Sequence, residues 1–381
     1  MPIEFERKKY ELKPMLRENN KPKQILSLQG FRAILFLLIF VFHTSKIGNV
    51  SESTLYRALC KGGGTEGVAF FFILSGFVEA LHSRKEALNL KNVLQICVRK
   101  AKRFYTVHIF FLLVTIPTMI YMVLTEPAYS FIKFVLNALL LQSWFPDEQI
   151  WLSYNSVTWF LSTLVFLCLF IIPLHHVCSY VEQKTSAVKI YAALLAADCL
   201  MTFAVAFLLG SRCKNVNYYL YAFPPIRLLD YFSGFVLGRT FVLQQNNKTK
   251  ISAATYWEVV AVGVMVLYLL LFPYVPVPFV RAAIYQPGAA FVIYVIAAGA
   301  GKISRFLSNP LMVKLGEGSL YYMMSHQVII RYCSLIHKQL IKREITSCEI
   351  VWIIIAFAST LISRPIYEGL CLKFQRIKSL I

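Results

Sequence analysis

The apolar residues of this chain come in long blocks, divided by short stretches rich in Lys and Arg. The blocks run 25–46, 67–82, 104–124, 131–145, 157–177, 188–210, 226–243, 256–273, 281–300, 312–332 and 348–367. A helix rises about 1.5 Å per residue, so about 20 apolar residues cross a hydrocarbon core of about 30 Å. Backbone N–H and C=O groups find no partner in lipid, and a helix satisfies them internally. The pattern therefore predicts an all-α, polytopic transmembrane helical bundle. The block at 131–145 stands apart, being short and carrying Lys133, Asn137 and Gln142.

Charge placement decides whether 131–145 crosses. The opening residues carry Arg7, Lys8, Lys9, Lys21 and Lys23, so the first span is expected to run from inside to outside. The 83–103 linker is dense in Lys and Arg and should be cytoplasmic. The linkers with Arg239, Lys248 and Lys250, and with Lys302, Arg305 and Lys314, fall on the same side only if 131–145 does not cross. The segment is accordingly expected to be re-entrant or interfacial, leaving about ten spans with both termini cytoplasmic. Lys338, Lys342 and Arg343, in an outer linker, run against the rule.

Composition agrees with a membrane protein: 57% of residues are hydrophobic and 15% charged, against about 25% charged in soluble domains. A formal charge of +20 can signal nucleic acid. Here the basic residues lie beside spans, so membrane lipids are the expected partner and nucleic acid is not. Residues 1–24 read as a cytoplasmic basic tail and not a cleavable signal, 25–370 as one membrane domain, and 371–381 as a second basic tail. The expected location is the plasma (inner) membrane. Nine cysteines are scattered without a CxxC pair, which argues against a metal site or a disulfide framework.

The polar residues inside the blocks carry the candidate chemistry. Arg32 and His43 both lie in the first block. Eleven helical steps come to about 20° beyond three turns, so the two share a face, about 16 Å apart along the axis. Both are costly in lipid and belong in a polar interior. For either alone, snorkelling of Arg32 or an interfacial His43 is an equal alternative. His326, six residues from the outer end of 312–332, should sit at a depth similar to His43; a packing or capping role is the alternative. Arg227 and Asp230, three apart, can form a structural ion pair. Asp198 and Glu79 are intramembrane acids, functional candidates by default.

Six stretches together carry a family resemblance. They are Arg32 followed after ten residues by His43; Phe70-Phe71-Phe72-Ile73-Leu74-Ser75-Gly76-Phe77; Arg99-Lys100-Ala101-Lys102-Arg103; Trp159-Phe160-Leu161-Ser162; Arg227-Leu228-Leu229-Asp230-Tyr231-Phe232-Ser233-Gly234; and Gly316 to His326. In this order, over roughly 25–367, they resemble the acyltransferase family 3 enzymes, membrane O-acyltransferases acting on carbohydrates. Two departures stand out: Thr163, Leu164 and Val165 follow Trp-Phe-Leu-Ser where the family often has a glutamate, and Gln327 follows His326 where an aromatic is usual.

The resemblance implies an O-acyltransferase with no permanently bound cofactor or metal. It would take an acyl group, acetyl in the first instance, from cytoplasmic acyl-CoA to a hydroxyl of a cell-surface or extracytoplasmic carbohydrate. Arg99, Lys100 and Arg103 would meet the phosphates of the donor, with positive-inside anchoring as the alternative. His43 is the first candidate for the base that takes the acceptor's proton, with Arg32 on its face, and His326 is the second. A transporter or flippase for a glycan or lipid-linked sugar, with Arg32 and His43 in the conduction path, is the competing reading.

Overall fold

The computed structural model describes residues 24–45, 54–82, 86–244, 251–276, 283–341 and 349–378, and every regular element among them is helical. The α-helices are α1 (Leu26–Thr44), α2 (Thr54–Ala80), α3 (Leu90–Thr115), α4 (Ile120–Thr125), α5 (Pro127–Ala138), α6 (Glu148–Trp151), α7 (Trp159–Leu167), α8 (Ile171–Val181), α9 (Ala187–Arg212), α10 (Val216–Tyr221), α11 (Pro224–Gln244), α12 (Ile251–Leu271), α13 (Tyr285–Ala298), α14 (Lys302–Leu307), α15 (Pro310–Glu317), α16 (Ser319–Ile341) and α17 (Glu349–Lys378). The first tail, up to residue 23, lies outside the described residues. The second begins inside α17.

Six helical segments among the described residues are long and apolar enough to cross a membrane: Leu26–Thr44, Leu90–Thr125, Trp159–Val181, Ala187–Arg212, Ala253–Tyr274 and Ile350–Leu372. These six do not by themselves confirm the expected tally of about ten. Helices α2, α11 and α16 are of comparable length, at 27, 21 and 23 residues, but carry charged or polar side chains turned into the bundle. Helix α13 has only 14 residues.

Two boundaries differ from the hydropathy reading. Helix α2 begins at Thr54 and not near residue 67, because Lys61 and Glu66 interrupt the apolar pattern without interrupting the helix. The 312–332 block is two helices, α15 and α16, meeting at Gly318. His326 is consequently early in α16. The helix runs on 15 residues past it to Ile341, about 22 Å at the helical rise, so His326 is far from the end of its helix, although it does lie level with His43 as expected.

The 131–145 block holds the larger part of a short helix followed by a polar turn. Helix α5 has 12 residues, about 18 Å and too short to cross. His108 Nε2 donates to the Asn137 carbonyl at 2.9 Å and the Tyr105 hydroxyl to that of Ala138 at 2.8 Å. Those bonds hold the end of α5 beside the midpoint of Leu90–Thr125, where the chain turns back towards α7. The turn is polar and enclosed: Asn137, Gln142, Ser143, Asn155, Thr158 and Ser162 are all buried.

Helix α2 is the central packing element, with α1 on one side and α11 on another. Along α1 the large buried apolar side chains are Leu28, Phe31, Leu35, Phe36, Ile39 and Phe40, recurring at helical spacing. Gly76 and Gly234 are packed reciprocally. A methyl on Gly76 would run into the Tyr231 carbonyl oxygen, and one on Gly234 into that of Ile73. The two backbones therefore approach as only glycine allows, as small residues permit between membrane helices.

Candidate active site

Helices α1 and α16 meet through two histidines. His326 Nε2 lies 3.2 Å from His43 Nδ1, with the ring centroids 4.9 Å apart. His326 is fully buried, and the rings of Phe36 and Phe40 approach it to 5.8 and 6.2 Å. His43 is half-buried near the end of α1 and packs edge-on against Phe42 at 4.9 Å. Each imidazole is tied back to its own helix: His43 Nδ1 is 2.9 Å from the Ile39 carbonyl and His326 Nδ1 2.9 Å from that of Tyr322.

These contacts fix the tautomers. A carbonyl oxygen can only accept, so both Nδ1 atoms carry the hydrogen in the neutral pair. The one hydrogen on His43 Nδ1 is then shared between the Ile39 carbonyl at 2.9 Å and the lone pair of His326 Nε2 at 3.2 Å, and the lone pair of His43 lies on its Nε2. A base oriented through its other nitrogen by a third group is the geometry of activated acid–base pairs. The aromatic surroundings lower the local dielectric and strengthen each contact.

Arg32 is not brought to the histidines. Its Nη1 donates to Gln29 Oε1 at 3.0 Å, one turn back towards the start of α1 and away from His43. The basic cluster of α3 divides. Arg99 and Arg103 are exposed, whereas Lys100, about a third exposed, forms an ion pair with the buried Glu79. Helical phase explains the split, since Arg99 and Arg103 are about 40° apart while Lys100 is about 100° from Arg99. Glu79 Oε1 also lies 3.7 Å from His175 Nε2, so the acid is committed to this corner.

The other motif residues have packing roles. Arg227 Nη1 donates to Asp230 Oδ2 at 2.6 Å and Arg227 Nε to the Tyr221 carbonyl at 2.8 Å. The Arg227 guanidinium also stacks over Phe72 and Tyr221, as buried arginine does. Asp198 accepts from Ser233 and Gln286. Trp159 stacks with Tyr221 at 4.8 Å. Ser162 donates to the Leu140 carbonyl at 2.6 Å and Ser325 faces that of Tyr322 at 3.3 Å, so neither is presented as a nucleophile. The described cysteines are free thiols.

One residue that sequence reasoning missed touches the helix of His326. Asn155 Nδ2 donates to the Met324 carbonyl at 2.8 Å. It lies in an irregular stretch with no periodic pattern, and no signal in the chain singles it out.

Two adjoining imidazoles on α1 and α16, His326 buried and His43 half-buried, form an arrangement that can accept and pass a proton. The family profile described as an acyltransferase domain matches residues 25–365, and the chain belongs to this acyltransferase family 3. It is similar to acyltransferase MdmB of Streptomyces mycarofaciens, at 25% identity over 323 residues, covering 80% of this chain and 79% of the relative. No solved structure matches it.

Proposed function

We propose that the chain is a membrane O-acyltransferase that passes an acyl group, acetyl in the first instance, from cytoplasmic acyl-CoA to a carbohydrate hydroxyl. The observation that carries this reading is the 3.2 Å contact between His43 and His326. His43 Nε2 takes the proton of the acceptor hydroxyl as its oxygen attacks the thioester carbonyl. His43 Nδ1–H, donating to His326 Nε2, stabilises the imidazolium that forms. The C–S bond breaks, the acyl group stays on the acceptor oxygen, and the CoA thiolate takes the proton back from the imidazolium. Transfer is direct, in keeping with the hydrogen-bonded state of Ser162 and Ser325.

Arg99 and Arg103 bind the donor phosphates, and Lys100 contributes charge to the same corner while held by Glu79. Arg32, on the helix of His43 and donating to Gln29, is assigned to the donor side of the site. The protein crosses the plasma membrane about ten times with both termini cytoplasmic, and α5 enters without crossing.

The test is acyl transfer by the purified chain in lipid vesicles, given radiolabelled acetyl-CoA and the carbohydrate fraction of the source cells. The reading expects release of free CoA thiol in step with label entering carbohydrate. A chain that moves labelled carbohydrate across the vesicle without releasing CoA is a transporter, and the reading fails.

A further inference from the structure

We infer that Asn155 is a positioning residue for His326, joining the returning segment to the histidine helix. The inference rests on the catalytic reading of the His43–His326 pair and adds to it the part that holds the second histidine in place. Asn155 is 1% exposed, and its Nδ2 donates to the Met324 carbonyl at 2.8 Å, two residues before His326.

In a helix the Met324 carbonyl already faces the N–H four residues on, so the asparagine amide is a second donor to it. Two residues earlier the Tyr322 carbonyl has the same double duty, since it also accepts from His326 Nδ1. With Ser325 Oγ also 3.3 Å from the Tyr322 carbonyl, three side-chain donors thus clamp the turn that aims His326 Nε2 at His43.

The asparagine is itself held rigidly. Its carbonyl accepts from the Thr158 backbone N–H at 3.0 Å and from the Thr158 hydroxyl at 2.8 Å. The preceding Tyr154 has φ +51°, a left-handed conformation unfavourable for a side chain of that size. Its hydroxyl is anchored to the Ser130 carbonyl at 2.9 Å. Strain of this kind persists where the surroundings over-determine it, and it gathers at functional sites.

The second polar atom of the amide, Oδ1, is buried without a hydrogen-bond partner. A buried amide with one end unmatched by any protein donor is a poor choice for packing alone. It is accounted for if the N–H to Met324 is what the position is selected to supply.

The experiment is a double-mutant cycle in the label-transfer assay, normalised to folded, monodisperse protein. Asn155→Asp keeps the shape but replaces the donor with an acceptor, and Asn155→Ser keeps a shorter donor. We expect Asn155→Asp to lower kcat about tenfold to a hundredfold, the scale of a misplaced catalytic group, with the KM for acetyl-CoA unchanged. Asn155→Ser should retain more activity than Asn155→Ala. In a His326→Phe background, Asn155→Asp should change turnover less than twofold, because residues acting as a unit are not additive.

Losses that multiply in the double mutant, normal turnover in Asn155→Asp, or failure of all three variants to fold would each overturn the inference. If His326→Phe alone leaves turnover unchanged, the catalytic reading falls first and takes the inference with it.

Discussion

His326→Phe separates the two histidines by role. Phenylalanine fills the imidazole's place among Phe36 and Phe40, so the fold should survive. What is lost is the Nε2 lone pair, 3.2 Å from His43 Nδ1. In the ground state that bond joins two neutral rings. Once His43 holds the acceptor's proton, the donor is an imidazolium, and a hydrogen bond to a charged group contributes about 1.5–3 kcal/mol. At about 1.4 kcal/mol per tenfold, kcat should fall by about 10- to 150-fold, with the KM for acetyl-CoA unaffected. His43→Ala removes the base itself and should cost about 10²–10⁴. His326→Gln, whose amide oxygen can stand near the position of Nε2, should recover part of the loss. The assay is label transfer from acetyl-CoA to carbohydrate at saturating donor. A His326→Phe protein slower than His43→Ala would reverse the assignment and make His326 the base. One that turns over at the normal rate would remove the pair from the mechanism.

Arg99→Ala with Arg103→Ala should weaken donor binding, measured by titration with a non-hydrolysable acyl-CoA analogue, and the loss should be larger at low ionic strength because the attraction is screened. Lys100→Ala should act instead on stability, by about 1–3 kcal/mol in thermal or denaturant unfolding. It removes the lysine partner of the buried Glu79, and the figure stays below the full-burial value because the lysine is partly exposed and His175 remains 3.7 Å from the other carboxylate oxygen. Gly234→Ala should lower the unfolding midpoint by an amount corresponding to about 1–3 kcal/mol, whereas Gly263→Ala, which meets nothing within 4 Å, should be neutral or slightly stabilising; equal effects of the two would contradict the close approach of α2 and α11. An impermeant thiol reagent applied from outside intact cells should label Cys213 and spare Lys248→Cys, and labelling of the latter from outside would mean that α5 crosses after all.

The block pattern of apolar residues was sufficient to read an all-helical membrane bundle, because lipid offers the backbone no other way to satisfy its hydrogen bonds. The shortness of 131–145 with Lys133, Asn137 and Gln142 was sufficient to set it apart, since polarity and length are one-dimensional properties. The same reading misplaced the starts of α2 and α16. Hydropathy sees Lys61 and Glu66 as an end, while helix continuity depends on backbone bonds that those side chains do not interrupt. Phase along one helix was legible too: Arg32 and His43 could be put on one face of α1.

Contacts between helices were not legible. His43 and His326 stand 283 positions apart, and nothing local to either specifies that α1 and α16 cross at that point. The crossing is set by side-chain packing along both helices and by close approaches such as that of Gly316 to the backbone of Gln29. Likewise the spacing of Arg99, Lys100 and Arg103 suggested one cluster, and only the presence of Glu79 on the neighbouring helix turned Lys100 inward. The sequence determined which residues could be helical, buried or basic, because each of those depends on the residue and its near neighbours. The tertiary structure decided which of them meet, because a hydrogen bond 3 Å long is fixed by the relative placement of whole helices.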